Sequence, residues 1–299
     1  MNGFEISEIV QGRIALHHGI KELTSVQSKA CGKYRVEASS SRFGERGLAV
    51  IFYFSATGNS QHVARRVSAA TGEALISIAD CVREDRYRFS ADGGAVGIVS
   101  PTYAWGLPSV VRDFLQRLML DGNPSYSWFA ATYGTTPGQT GRFADDIMRK
   151  RGRPFDAFFS VKMPDTWTPL FDLSDPVKVS RINQDAEQGI DFVVGKVQNR
   201  ERGDFMRRKA PVFAAKLVYA LEYDSMRRTR HLAVEDSCVC CGLCARKCPV
   251  AAIEIRDGKP MWTKDRCAMC LACLHHCPKF AIQYGNKTKR HGQYTHPDA

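Results

Sequence analysis

A cysteine pattern that occurs twice near the end of the chain constrains the fold more than any other feature. Cys238, Cys241, Cys244 and Cys248 are followed by Pro249, and Cys267, Cys270, Cys273 and Cys277 are followed by Pro278. Both runs read Cys-x-x-Cys-x-x-Cys-x-x-x-Cys-Pro, the ligand spacing of cubane iron–sulfur clusters. The match continues into Ala252-Ile253 and Ala281-Ile282. Three thiolates at i, i+3 and i+6 on a tight loop can converge on three corners of one cube, and the fourth corner needs a thiolate from elsewhere. Each Cys-Pro ends its loop by fixing φ and removing a donor. Zinc suits the pattern badly, because zinc sites use two separated pairs, four ligands per metal, often with His.

The double run resembles that of bacterial two-cluster ferredoxins, in which the fourth Cys of each run serves the other cluster. The resemblance implies one [4Fe-4S] cluster on Cys238, Cys241, Cys244 and Cys277, and a second on Cys267, Cys270, Cys273 and Cys248. With four Cys already present per cluster, His275 and His276 are expected as surface residues of the second loop. Cys240 breaks the spacing and is expected as a spare, semi-buried thiol. Cys31 and Cys81 are isolated and expected as ordinary reduced cysteines.

Of the 11 cysteines, the three left over do not make a disulfide framework, and thiolate ligands point to a reducing compartment. No apolar run is long enough to span a membrane, and the N-terminus lacks a charged-then-apolar signal pattern. Cytoplasm is the expected location. The formal net charge of +11 favours acidic partners. The basic stretch Arg200–Arg230 is expected as a solvated helix face, since no nucleic-acid motif accompanies it.

Upstream, Leu48-Ala-Val-Ile-Phe-Tyr-Phe54 is a continuous apolar run, the pattern of a buried parallel strand. It leads into Ser55-Ala-Thr-Gly-Asn-Ser60 and then a segment of helical spacing from Gln61. Strand, hydroxyl-and-Gly loop, helix is the geometry of an anion site at a helix N-terminus. Neither Gly-x-x-x-x-Gly-Lys nor Gly-x-Gly-x-x-Gly follows a strand, which excludes a nucleoside-triphosphate loop and a dinucleotide fingerprint. A second strand, 95–100, ends in Thr102-Tyr-Ala-Trp-Gly106, and a third, 127–133, ends in Tyr133-Gly-Thr135.

In these loops the chain resembles flavodoxin. Ser55, Thr57, Gly58, Asn59 and Ser60 match the loop that holds the FMN phosphate in that family. Thr102, Tyr103, Ala104, Trp105 and Gly106, with Tyr133, Gly134 and Thr135, match the two loops that hold the isoalloxazine ring, with Tyr103 or Trp105 as stacking candidates. Met163-Pro-Asp-Thr-Trp167 could lean over the flavin edge. His62, near the phosphate loop, is expected on the surface, and no residue reads as an acid or base above the flavin. The resemblance implies an α/β fold: a doubly wound, five-stranded parallel sheet of order 2-1-3-4-5, with strands at 48–54, 74–79, 95–100, 127–133 and 155–162 and helices at 60–71, 108–119 and 139–151.

The expected organisation is a poorly ordered extension over 1–46, the FMN-binding domain over 47–163, and a loop and helical connector over 164–230, with helical spacing at 177–199 and 205–226. A small α+β ferredoxin-like domain follows over 231–286, then a frayed tail over 287–299. The whole resembles the flavodoxin–ferredoxin fusion proteins of anaerobic bacteria and archaea. That resemblance implies an electron carrier joining two [4Fe-4S] clusters to FMN and to a partner redox protein. The alternative is a flavin-dependent reductase of a small substrate fed by the clusters; a cluster-containing sensor or nucleic-acid protein is a third reading.

Overall fold

The computed structural model describes residues 49–298. The extension expected over 1–46, with Cys31, lies outside the described residues.

The first half alternates strands and helices. β1 is Val50–Tyr53, α1 Asn59–Thr71, β2 Ala74–Ser77, α2 Ile78–Arg83, β3 Arg88–Ser90 and β4 Ala95–Pro101. Then come α3 Ser109–Arg117, β5 Met119–Asp121, β6 Tyr126–Tyr133, α4 Thr140–Arg149, β7 Ala157–Lys162, α5 Pro176–Gln198 and β8 Gly203–Asp204. The main sheet runs β2-β1-β4-β6-β7-β8, and every pairing in it is parallel. Five strands were expected, and the sixth corrects that count. β8 is two residues long, too short to show a period, and is held because Phe205 N–H donates to Phe158 O at 2.8 Å. β3 and β5 form a separate parallel pair.

Side chains alternate across the sheet with the period of two that a strand imposes. Val50, Phe52, Val96, Ile98, Phe129 and Ala131 face α3 and α4, packing on Val110, Val111, Phe114, Leu115, Ala144 and Met148. Ile51, Ala95, Val99, Trp128, Ala130, Phe159 and Val161 face α1 and α5, packing on Val63, Val67, Ala186, Ile190, Val193 and Val197. So α5, expected in the connector, is instead a layer of the sheet's core. Its start is set by Asp175, whose side chain accepts from Val177 and Lys178 N–H, with Pro176 at the first turn.

Gly97 of β4 lies under Trp128, and a Cβ there would stand 2.3 Å from the indole. Because neither the strand nor a fully buried Trp can yield, Gly97→Ala is expected to destabilise the protein by about 1–3 kcal/mol. Urea unfolding measures it, and a loss below about 0.5 kcal/mol would mean that the indole has room to shift.

The second half is short and irregular. The helical segment expected over 205–226 is broken into α6 Val212–Val218, a π-turn Tyr219–Tyr223 and α7 Asp224–Met226. β9 Leu232–Val234, α8 Leu243–Arg246, β10 Ile253–Arg256, β11 Lys259–Trp262, α9 Ala272–His275, β12 Ile282–Tyr284 and α10 Thr288–His291 follow. β10 and β11 form a hairpin whose turn, Asp257-Gly258, has positive φ at both residues, the combination a tight two-residue turn needs. β12 pairs antiparallel with β9. A third core gathers Cys248, Ala252, Ile253, Met269, Leu271, Cys273, Leu274 and Ile282.

The sequence repeat is also a backbone repeat. Cys240 and Met269, Gly242 and Leu271, and Ala251 and Phe280 are equivalent positions, and all six have positive φ. Left-handed residues on either side of the second Cys wrap each loop so that its thiols turn inward. Cys240 is exposed rather than semi-buried, and its backbone is left-handed.

The tail is not frayed. Tyr294 and His296 are buried; Gln293 Nε2 donates to Leu274 O and Cys277 O, and His296 N–H donates to Thr57 O at 2.7 Å. Polar side chains of the tail thus find partners in both halves. Among the described residues no helix is long and apolar enough to cross a membrane.

Candidate functional site: one large cavity and two cysteine pockets

A cavity of about 570 Å³ opens at the carboxyl ends of β1, β4, β6 and β7. Three expected loops meet there: Ser55, Thr57, Asn59 and Ser60 after β1, Thr102 to Trp105 after β4, and Tyr133, Gly134 and Thr135 after β6. Two expected residues do not line it. Gly58 caps α1 with φ 99° and donates its N–H to Ser55 Oγ at 3.0 Å. Gly106 closes the aromatic loop by two backbone bonds with Tyr103, and a Cβ there would meet Tyr219 at 2.4 Å.

The first loop suits an anion. α1 begins at Asn59, so its first-turn N–H groups have no intrahelical acceptor and the helix dipole favours negative charge. Asn59 Nδ2 donates to Pro164 O at 3.0 Å, and the Ser60 and Thr132 hydroxyls are 2.8 Å apart. These bonds fix the loop's shape. The second loop turns through Ala104 and Trp105, both at positive φ. Tyr103 packs against Phe54 and Tyr223, ring centroids 6.4 and 6.3 Å away.

Residues that sequence reasoning did not place here complete the wall: Tyr223, Met226, Met269, Cys270 and Leu271 from the second half. Tyr223 Oη accepts Ser109 N–H at 2.8 Å and lies 3.2 Å from Ala268 O, tying α3 to the second cysteine loop. His275 and His276 are not surface residues of that loop. Their Nε2 atoms donate to Thr166 O and Ala56 O, each at 2.9 Å, and clasp it onto the cavity rim. Burial holds His275 down at about 4, so its ring stays neutral.

Asp165 is a titratable group of the cavity wall that sequence reasoning did not single out. It lines the cavity, and burial pushes its carboxyl up to about 6, partly offset by the Trp167 N–H it accepts at 3.1 Å. Gly134 makes room for it, since a Cβ there would stand 2.2 Å from the Asp165 Cβ. A raised carboxyl pKa means that the folded state holds the proton more tightly than the unfolded chain. Asp165 therefore destabilises increasingly as pH rises from about 4 to about 6. Asp165→Asn is expected to match the parent at pH 4 and to exceed its stability by about 2 kcal/mol at pH 7. Equal stability at both pH values, by thermal or urea unfolding, would contradict that environment.

The eight repeated cysteines gather as two sets. Cys248, Cys267, Cys270 and Cys273 line one small pocket with Leu232, Ile253 and Trp262. Cys238, Cys241, Cys244 and Cys277 line another with Ile255, Pro260 and Ile282, and the extra Cys240 also borders it. Burial pushes the Cys270 and Cys273 thiols well above their usual range, and neighbouring thiols push them further. Burial of this kind opposes thiolate formation in the absence of a compensating positive charge. Backbone N–H groups already point at sulfur: Ala252 to Cys248 at 3.2 Å, and Met269 to Cys267 and Ala281 to Cys277 at 3.3 Å. Such bonds stabilise ligated thiolates. Met269, Cys270 and Leu271 belong to both the large cavity and the first pocket, so the two share a wall.

A flavodoxin-domain family model matches residues 50–191. These residues form a flavodoxin-like domain. It accounts for the sheet through β7, for α5 as far as Asp191 and for the three strand-end loops of the cavity. A search of curated proteins gives no match. Among solved structures, the chain is similar to the Trp repressor binding protein from Bacillus subtilis at 10% identity, covering 52% of this chain and 99% of that one, with a TM-score of 0.32. It is also similar to a flavodoxin from the domain Archaea, at 17% identity over 50% and 98%, TM-score 0.30. A short-chain flavodoxin associated with a non-canonical PDU bacterial microcompartment matches at 19% identity over 49% and 98%, TM-score 0.28. A flavodoxin-like domain implies flavin binding and a flavoprotein or electron-transfer function.

Proposed function

We propose that this chain is an electron-transfer iron–sulfur flavoprotein, with FMN in the large cavity and a [4Fe-4S] cluster in each cysteine pocket. The observation that carries this reading is the wall shared through Met269, Cys270 and Leu271. FMN exchanges one or two electrons and each cluster one, so their pairing converts between one-electron carriers and two-electron chemistry. The chain's part is to hold the sites in sequence, from the cavity to the pocket of Cys248, Cys267, Cys270 and Cys273, and on to that of Cys238, Cys241, Cys244 and Cys277. In the second pocket Cys241 is exposed and Cys238, Cys244 and Cys277 are half-buried, whereas Cys248 and Cys273 of the first are buried, which suits exchange with a partner at the second. A net charge of +11 favours an acidic redox protein as that partner. The ferredoxin-like unit over 231–286 and a cytoplasmic setting belong to the same proposal.

A second reading has its own observation. Asp165, with its carboxyl held at about 6, could pass a proton to a small substrate at the flavin, making the chain a reductase. Asp165→Asn separates the two readings: a carrier keeps electron transfer between external one-electron donors and acceptors, whereas a reductase loses turnover.

Anaerobic purification, iron analysis and identification of the released flavin test the proposal. Two full clusters require about eight irons per chain, together with one FMN. Iron near four, zinc in its place, or a flavin other than FMN would count against it.

A further inference from the structure

Away from both cysteine pockets, the last residues of the chain meet the helix that follows the first cavity loop. We propose that His62 on α1, with His296 and Asp298 on the tail, forms a binding site for a divalent transition cation of the zinc class that clamps the tail onto α1.

One ligating atom from each of these three residues lies within 4.8 Å of the others. Both imidazoles are buried, and their rings stack with centroids 4.1 Å apart and 22° between planes. The Nε2 of His296 is buried and has no hydrogen-bond partner among the described residues, an arrangement that ordinarily costs free energy. A cation supplies the missing partner.

The surroundings are those of a ligand set. His62 Nε2 donates to Glu187 Oε1 at 2.7 Å, which leaves Nδ1 to offer its lone pair. A carboxylate behind a histidine is the usual second layer of a metal site; it sets the tautomer and raises ligand basicity. Glu187 is itself held by Arg66, whose charge is shared with Asp191. Arg65 Nη1 donates to the Asp298 carbonyl oxygen at 2.9 Å and steadies the turn that presents the carboxylate. The His296 Nδ1 accepts Asp298 N–H at 3.2 Å; a cation on Nε2 moves the ring proton to Nδ1 and gives up this long contact.

Two imidazole nitrogens and one carboxylate oxygen select zinc-class ions over magnesium or calcium, which prefer all-oxygen sites. Three protein ligands leave a fourth position for water. The site joins α1 to a segment whose backbone already reaches Thr57, so occupancy would hold the tail at the mouth of the anion loop. It requires neither FMN nor clusters.

The test is a Zn²⁺ titration of the full chain, prepared anaerobically so that the cysteines keep their native state, with bound metal counted after gel filtration. The parent is expected to bind one zinc more than His296→Gln. Asp298→Asn should bind that zinc at least about tenfold more weakly, and Glu187→Gln about 10–100-fold more weakly. Zinc should also slow amide exchange at residues 294–298 in the parent only. Equal zinc affinity in the parent and His296→Gln overturns the site. If that variant does not fold, equal affinity in Asp298→Asn, an exposed position at the chain's end, does so.

Discussion

Cys248→Ala is expected to remove the cluster beside the flavin cavity while leaving the other cluster in place. Cys248 lies in the first run, yet it shares a pocket with Cys267, Cys270 and Cys273 of the second. Its sulfur also accepts the Ala252 N–H, so its loss removes a ligand and an electrostatic anchor together. Iron should fall from about eight to about four per chain. The surviving paramagnetic signal should be that of the set Cys238, Cys241, Cys244 and Cys277. Cys277→Ala should spare the opposite cluster, because Cys277 lines the other pocket. Cys240→Ala should change neither, since Cys240 is exposed and stands outside the repeated spacing, while four other cysteines already line that pocket. Retention of the cluster next to the flavin in Cys248→Ala would mean that each run fills its own cube. Loss of a cluster in Cys240→Ala would shift the ligand register by one.

Thr57→Ala is expected to weaken FMN while leaving riboflavin nearly unchanged. The loop over Ser55–Ser60 contains no Lys or Arg, so a phosphate there must rest on backbone N–H groups, hydroxyls and the α1 dipole. Thr57 is buried and lines the cavity. A charge-assisted bond from its hydroxyl contributes about 1.5–3 kcal/mol, which corresponds to roughly a ten- to 150-fold loss of FMN affinity. Riboflavin has no phosphate and should report only the shape of the ring site. Titration of both flavins into the apoprotein, parent and variant, gives the comparison. Equal weakening of both would place the phosphate elsewhere, and with it the argument that FMN is the flavin bound.

The parts of this protein legible in its sequence are those governed by neighbours along the chain. The apolar runs that became β1, β4, β6 and β7 are visible because a strand buried on both faces needs apolar residues in succession. The anion loop is visible because strand, hydroxyl loop and helix are contiguous. The cysteine runs are visible because three cysteines of each set come from a single loop, and the matching left-handed positions, Cys240 with Met269 and Ala251 with Phe280, follow that local geometry.

Tertiary structure decided what depends on distant partners. β8 is two residues whose strand character comes wholly from pairing with β7. α5 shows helical spacing, but only the sheet assigns its buried stripe to the first domain's core. Asp165 reads as an ordinary loop acid until burial raises its carboxyl and Gly134 admits it to the cavity. The tail's polar composition suggests solvent, yet Tyr294 Oη reaches Asn59 Oδ1 at 2.8 Å and His296 stacks on His62. That Cys270 belongs to both the large cavity and a cysteine pocket follows from no local pattern. Spacing along the chain sets which atoms can share one loop, whereas the wall between two sites is set by how separately folded segments pack.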